Sequence, residues 1–160
     1  PQELALYPSL TGRENLFYYG TLYGINNKQL KEDIRRYLDM FGLSDKADKH
    51  VGTYSGGMKR RVNLIAGLLH KPQILFLDEP TVGIDVHSRT VIVEHLKEIN
   101  QNQGITIIYT SHHMDEAEYC DRVSIMVDGR IEALDKPSEL KKKYDSENMN
   151  EVFLKLARKQ

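Results

Sequence analysis

The 160 residues carry 22 lysines and arginines against 23 aspartates and glutamates, with 40% apolar residues and a single cysteine. Such a chain is long enough for one domain with a core, and its balanced charge excludes a global field drawing it to nucleic acid or an anionic membrane. Cys120 allows no internal disulfide and fits a reducing compartment; no apolar run approaches a membrane span, and no signal-peptide pattern opens the chain.

The first residues, PQELALYPSLTGRENL, read as a loop running into a helix. Thr11 and Glu14 form a capping box, so a helix is expected from about Gly12 through Leu16 and Tyr19 toward Leu22. Leu30, Ile34, Leu38 and Phe41 keep helical spacing and predict a second helix over about 27–41, stopped by Gly42. A polar connector then leads to a third helix behind Ser55. After His70 the texture changes. QILFL, ITIIYT and VSIMV are short apolar or β-branched runs that predict strands, and a helix over about 88–102 separates the first two. Strand, helix, strand implies a parallel sheet, and Asp128-Gly129 predicts a tight turn into RIEAL, making a hairpin at the sheet's margin. Two helices are expected in the tail, opened by KPSEL and covering NMNEVFLKLA.

Two stretches carry chemistry. In YSGGMKRR, Ser55 is placed to cap a helix whose next two residues, Gly56 and Gly57, leave backbone N–H groups uncovered by side chains. Bare N–H groups at the positive end of a helix suit phosphate, although a serine and two glycines alone equally describe an ordinary cap and turn. ILFLDEP reads as a strand buried on both faces with Asp78 and Glu79 at its carboxyl end, where open α/β sheets bind ligands. Pro80 should hold Glu79 extended. Two acids desolvated there need a cation or hydrogen-bond donors; the functional reading assigns Asp78 to a magnesium shell and Glu79 to positioning or deprotonating water, and the alternative makes them mere strand-end punctuation.

SGG followed by basic residues, with ILFLDEP about twenty positions on, resembles the nucleotide-binding subunits of ATP-binding-cassette transporters. LTGRENL, SGGMKRR and TSHHMDEAE are most similar to ATPases that drive export. The resemblance implies an α/β fold, a P-loop NTPase-like, mostly parallel sheet core with an inserted helical subdomain, and it implies ATP and Mg²⁺ as ligands. It implies that Ser55, Gly56 and Gly57 contact the γ-phosphate of ATP on an opposite subunit. Gln2 matches the glutamine that reaches Mg²⁺ and the attacking water and signals to the membrane subunits. Gly83, Ile84 and Asp85 match the loop that communicates across the dimer; Asp85 would also serve as a plain helix cap. His112 matches the switch histidine at the γ-phosphate. The implied partners are a second nucleotide-binding subunit and an integral membrane permease, with no nucleic acid, and the implied location is peripheral on the cytoplasmic face of the membrane. Residues 1–71 would hold the glutamine loop, helical subdomain and signature helix, 72–135 the second half of the ATPase core (Walker B, D-loop, switch histidine, edge hairpin), and 136–160 the C-terminal helices. Tyr54, Met58 and Val86 depart from the commonest family residues without removing a functional group.

No G-x-x-x-x-G-K-[ST] loop (Walker A) occurs in the 160 residues. The expectation is that it lies upstream of Pro1, that these residues are the later part of a nucleotide-binding domain inactive by themselves, and that their sheet exposes an edge or an apolar face. Three other readings compete. His112, His113, Asp115, Glu116 and Cys120 lack the spacing of a metal site. Lys59 to Arg61 and Lys141 to Lys143 would suit a cassette ATPase of DNA repair or translation, but short basic runs on helices are usually solvated. A non-enzymatic regulatory domain is the third.

Overall fold

A computed structural model describes residues 4–158, which fall into two compact units divided between Thr110 and Ser111. This grouping follows packing, whereas the division at 71 and 135 follows motifs. Within the first unit, α1 (Gly12–Leu22), α2 (Asn27–Met40) and α3 (Gly56–Leu68) pack on one another. The capping box forms: the Thr11 hydroxyl accepts from the Glu14 N–H at 3.1 Å, and the Glu14 carboxylate accepts from the Thr11 N–H at 2.8 Å. Helix α2 stops as its spacing predicts, because Gly42 takes a left-handed conformation (φ 62°) open to a residue without Cβ, and the Gly42 and Leu43 N–H groups close on the Asp39 and Leu38 carbonyls. Leu30, Ile34, Leu38 and Phe41 are all buried in the core shared with Val62, Ile65 and Leu69.

Two buried polar side chains fix this layer. Asn15 accepts from the Tyr7 N–H at 2.8 Å and donates to the Tyr7 and Thr11 carbonyls at 3.0 Å, tying the entering loop to α1. Asp33 on α2 accepts from Gln29, Arg36 and Lys71 at 3.0–3.2 Å, joining α2 to the residues after α3. Tyr54, the departure just ahead of Ser55, is also structural. Its ring is buried, and its hydroxyl donates to the Lys46 carbonyl at 2.5 Å.

Strand β1 (Ile74–Leu77) pairs in parallel with β2 (Thr106–Tyr109), Leu77 opposite Tyr109, and α4 (Val86–Gln103) connects them as the alternation predicts. Burial differs from the expectation. Leu75 is inside, but Ile74 is 52% exposed, Phe76 70% and Ile108 49%, so one face of the pair is apolar and open, and β1 is not buried on both faces. The cause is that the α3 and α4 side chains cover only the face that Leu75 joins. The expected exposed apolar face is thereby present.

In the second unit β3 (Val123–Val127) and β4 (Arg130–Asp135) form the hairpin, turning at Asp128 (φ 47°) and Gly129 (φ 75°). The hairpin is not a margin of the β1–β2 sheet: it makes a separate two-stranded sheet. The reason is its own core, where Ile125 and Ala133 join Leu140 of α5 (Pro137–Lys143) and Met149, Val152 and Leu156 of α6 (Met149–Ala157). Among the described residues no helix is long and apolar enough to cross a membrane.

Candidate functional site

Asp78 and Glu79 follow β1 directly, at its carboxyl end. Register explains their neighbour. The Thr110 N–H donates to the Leu77 carbonyl at 3.0 Å, carrying the ladder one residue past β2 and setting the Thr110 side chain beside the acids. Its hydroxyl donates to Asp78 Oδ1 at 2.9 Å and accepts the Glu79 N–H at 3.1 Å.

Glu79 is not extended; it adopts φ 44°, a left-handed conformation uncommon for a non-glycine residue. The ring of Pro80 penalises the right-handed helical region, and a turn must begin here, since the Val82 N–H donates to the Glu79 carbonyl at 3.2 Å. Arg60 Nη2 donates to the same carbonyl at 3.4 Å. The backbone of Glu79 is thus gripped on both sides. Nor are the acids deeply desolvated, because Asp78 is exposed and Glu79 half-buried.

The basic run of α3 departs from expectation too. Arg60 is only 5% exposed, and Arg61 donates to the Phe41 carbonyl at 2.9 Å and the Gly57 carbonyl at 3.3 Å. Burial pushes both guanidinium groups below their ordinary value, opposed at Arg61 by the charge of Asp85. Gly57, Arg60 and Leu64 share the buried face of α3 at helical spacing, the signal by which Arg60 is readable as an inward residue.

At the start of α3 the Ser55 hydroxyl accepts from the Met58 N–H at 3.3 Å, and Ser55 and Gly56 are exposed. Gly57 has a different reason to be glycine: a Cβ there would lie 2.7 Å from the Ser88 hydroxyl and 2.8 Å from Ser88 Cβ. The close approach places the first turn of α3 against the first turn of α4, and the Gly83 carbonyl and Ile84 flank Gly56. Asp85 caps α4, accepting from the Ser88 N–H at 2.9 Å, and that bond holds its carboxyl below the ordinary aspartate value. Ser55, Gly56, Gly83, Ile84 and Asp85 therefore lie close together, with Gly57 buried between the two helix starts. His112 is exposed and belongs to the second unit, while Gln2 lies outside the described residues. Thr110 and Arg60 are the contacts that motif reading missed.

The family profile of ABC transporters matches residues 1–82. The chain belongs to the ABC transporter family. It is 47% identical over 141 residues to the linearmycin resistance ATP-binding protein LnrL of Bacillus subtilis, covering 88% of this chain and 45% of LnrL. It is 41% identical over 147 residues to ABC transporter A family member 4 of Arabidopsis thaliana, 90% of this chain and 16% of that one. This ABC chain thus spans less than half the length of either relative. Among solved structures it superposes on cbiO1 from Clostridium perfringens, part of the ABC transporter complex cbiONQ, with TM-score 0.79 and 28% identity, covering 95% of this chain and 58% of that one. The ATP-binding cassette MJ0796, solved as a dimer bound to ADP and Pi, gives TM-score 0.73 and 26% identity over 85% of this chain and 60% of its own. The expected fold class, an α/β core of the P-loop ABC ATPase type, agrees with these superpositions.

An exposed carboxylate at Asp78, oriented by a hydroxyl, is the hard oxygen donor that Mg²⁺ prefers, so the residues present fit that ion.

Proposed function

We propose that this chain forms the signature-bearing and hydrolytic portion of an ABC ATP-binding subunit, with ATP as substrate and Glu79 as the group that activates water. The observation that carries the reading is the acidic pair at the end of a parallel strand, with Glu79 gripped in a left-handed conformation. Residues held in sparsely populated backbone conformations cluster at working sites. Asp78 and Gln2 would hold Mg²⁺, which when bound neutralises phosphate charge. Ser55, Gly56 and Gly57 present the start of α3 to the γ-phosphate of a nucleotide on a second subunit, Asp85 faces that subunit, and His112 contacts the γ-phosphate of its own nucleotide. The subunit docks from the cytoplasmic side on a membrane permease. Likeness to a resistance ATP-binding protein supports export as the direction.

The runner-up, a nucleic-acid-directed cassette ATPase, loses its main support because Arg60 and Arg61 donate to carbonyls of their own chain, and Lys141 to Glu118 at 2.6 Å. The decisive experiment replaces Glu79 by Gln in the ATPase extended upstream of Pro1 through a phosphate loop. ATP binding should persist while most turnover disappears and a nucleotide-bound dimer accumulates; near-normal hydrolysis removes Glu79 from the role. Titrating the 160 residues alone with ATP and Mg²⁺ should show weak binding, since no phosphate loop is among them.

A further inference from the structure

We infer that Thr110 is a positioning residue for Glu79, its hydroxyl holding the Glu79 peptide in the left-handed conformation from which the carboxylate works. The inference rests on the proposed role of Glu79. A threonine hydroxyl has one proton and two acceptor sites. The Glu79 N–H has only a proton to offer, so toward it the hydroxyl must accept, at 3.1 Å. The proton therefore goes the other way, to Asp78 Oδ1 at 2.9 Å. The order is fixed: N–H to hydroxyl to carboxylate, each bond polarising the next. The charge on Asp78 strengthens the bond it receives and, through it, the bond that holds Glu79.

The remaining parts of the device are in place. Thr110 is itself anchored, because its N–H donates to the Leu77 carbonyl at 3.0 Å. A β-branched side chain there has few rotamers, which keeps the hydroxyl between its two partners. On the opposite side of the residue, Arg60 and Val82 donate to the Glu79 carbonyl. A glutamate at φ 44° before a proline would relax toward extended backbone without such restraint. That relaxation would carry its carboxylate away from the attacking water. A displacement of about 1 Å in a catalytic group lowers turnover by roughly 100-fold.

The test uses the ATPase extended upstream through a phosphate loop, with Thr110→Val, Thr110→Ser, Glu79→Gln and the Val/Gln double variant. Thr110→Val, nearly isosteric but without a hydroxyl, should lower kcat by roughly 10- to 100-fold and leave KM for ATP within about 2-fold. Thr110→Ser should retain most of kcat. In the Glu79→Gln background, compared at saturating Mg²⁺ so that the Thr110 bond to Asp78 does not enter through metal affinity, Thr110→Val should remove nothing further from kcat, because on turnover the threonine acts through that glutamate. Amide exchange supplies a readout independent of activity: the Glu79 N–H should lose protection in Thr110→Val while the Thr110 main chain, bonded to Leu77, keeps its own. Should the valine variant fail to fold, Thr110→Ala carries the same expectations. Normal kcat in Thr110→Val beside an inactive Glu79→Gln overturns the positioning role alone, as does an additive loss in the double variant or an unchanged Glu79 exchange rate. A fully active Glu79→Gln overturns the reading of Glu79, and with it this inference.

Discussion

Asp33 in the helical layer and Asp78 at the end of β1 are the same residue type in opposite situations. The Asp33 side chain is 5% exposed and receives an amide and two cations from its own chain. Asp78 is exposed, and its identified bond comes from a neutral hydroxyl. The Asp33 carboxylate has its counter-charges within its own chain, whereas Asp78, in the role proposed for it, keeps oxygen available for a cation from solution. The contrast is testable by exchanging charge for amide at both positions. Asp78→Asn keeps an acceptor for Thr110, so stability should change by less than about 0.5 kcal/mol, while ATP turnover in the extended ATPase should fall by roughly 100-fold. Asp33→Asn should do the reverse, leaving turnover per folded molecule unchanged and costing about 1–2 kcal/mol. That figure sits below the value for a fully buried pair because Arg36 and Lys71 are more than half exposed. Urea unfolding and steady-state hydrolysis of the two variants check both halves. Equal stability losses would erase the distinction.

The helical layer also differs from the strand end in how tightly it is filled. A Cβ on Gly20 would lie 2.1 Å from Leu30 Cδ1, and Leu30 is wholly buried. Alanine inside a helix gains about 1 kcal/mol over glycine, but overpacking a closed core costs about 1–3 kcal/mol. The second effect wins, and Gly20→Ala should lower stability by about 1–2 kcal/mol, read as a shift in the urea midpoint. At the strand pair, Phe76→Thr should shift the midpoint far less, because the ring is 70% exposed. A large loss there would mean that the apolar face is covered in solution.

Much of the helical layer was legible because its signals are local. Thr11 and Glu14 announce a start, Gly42 a stop, and Leu30, Ile34, Leu38 and Phe41 a face, all within a few residues of the structure they specify. Asp128-Gly129 is legible for the same reason. The SGG and DEP stretches stand out in the sequence by resemblance, but their geometry does not. Thr110 stands 32 residues from Asp78, and only the pairing of Leu77 with Tyr109 makes them neighbours. Register of a parallel pair is not written in either strand. Arg60 was misjudged from the opposite cause: charge suggested solvent, although its spacing from Gly57 and Leu64 placed it on the inward face. The left-handed Glu79 follows from bonds to Thr110, Arg60 and Val82, and the proline beside it suggested extended backbone.

Tyr54 sharpens the comparison on a smaller scale, since it borders Ser55 and the glycines yet belongs to the packed layer. Its hydroxyl meets the Lys46 carbonyl and fills the space that a Cβ on Gly12 would need, 2.5 Å away. Burial raises its pKa, so the phenol stays a neutral donor through the physiological range. Tyr54→Phe should therefore cost about 1 kcal/mol of stability for the lost bond. ATP turnover of the folded variant should be unaltered; reduced turnover would give Tyr54 a part in the site.

The smallest effect expected is the acid dependence contributed by Asp85, which stands where the two regions meet. Its carboxyl is held below the ordinary aspartate value by the Ser88 N–H that it caps. A depressed folded value means that the unfolded chain binds the proton more readily, so stability falls as pH falls. The contribution is complete above about pH 5, begins to fade near the ordinary value of about 3.9, and is lost as pH drops through the lower folded value. Asn is as good a cap as Asp but does not titrate. Asp85→Asn should thus fall slightly behind the parent at pH 7, where the charge adds attraction to the helix start, and the gap should narrow as pH falls below 5 and Asp85 takes up its proton. Urea midpoints of the two proteins at pH 7, 5, 4 and 3 give the difference directly. A difference that stays constant across that range would show that the Asp85 charge contributes nothing to the cap, leaving interaction with a second subunit as the only role proposed for it.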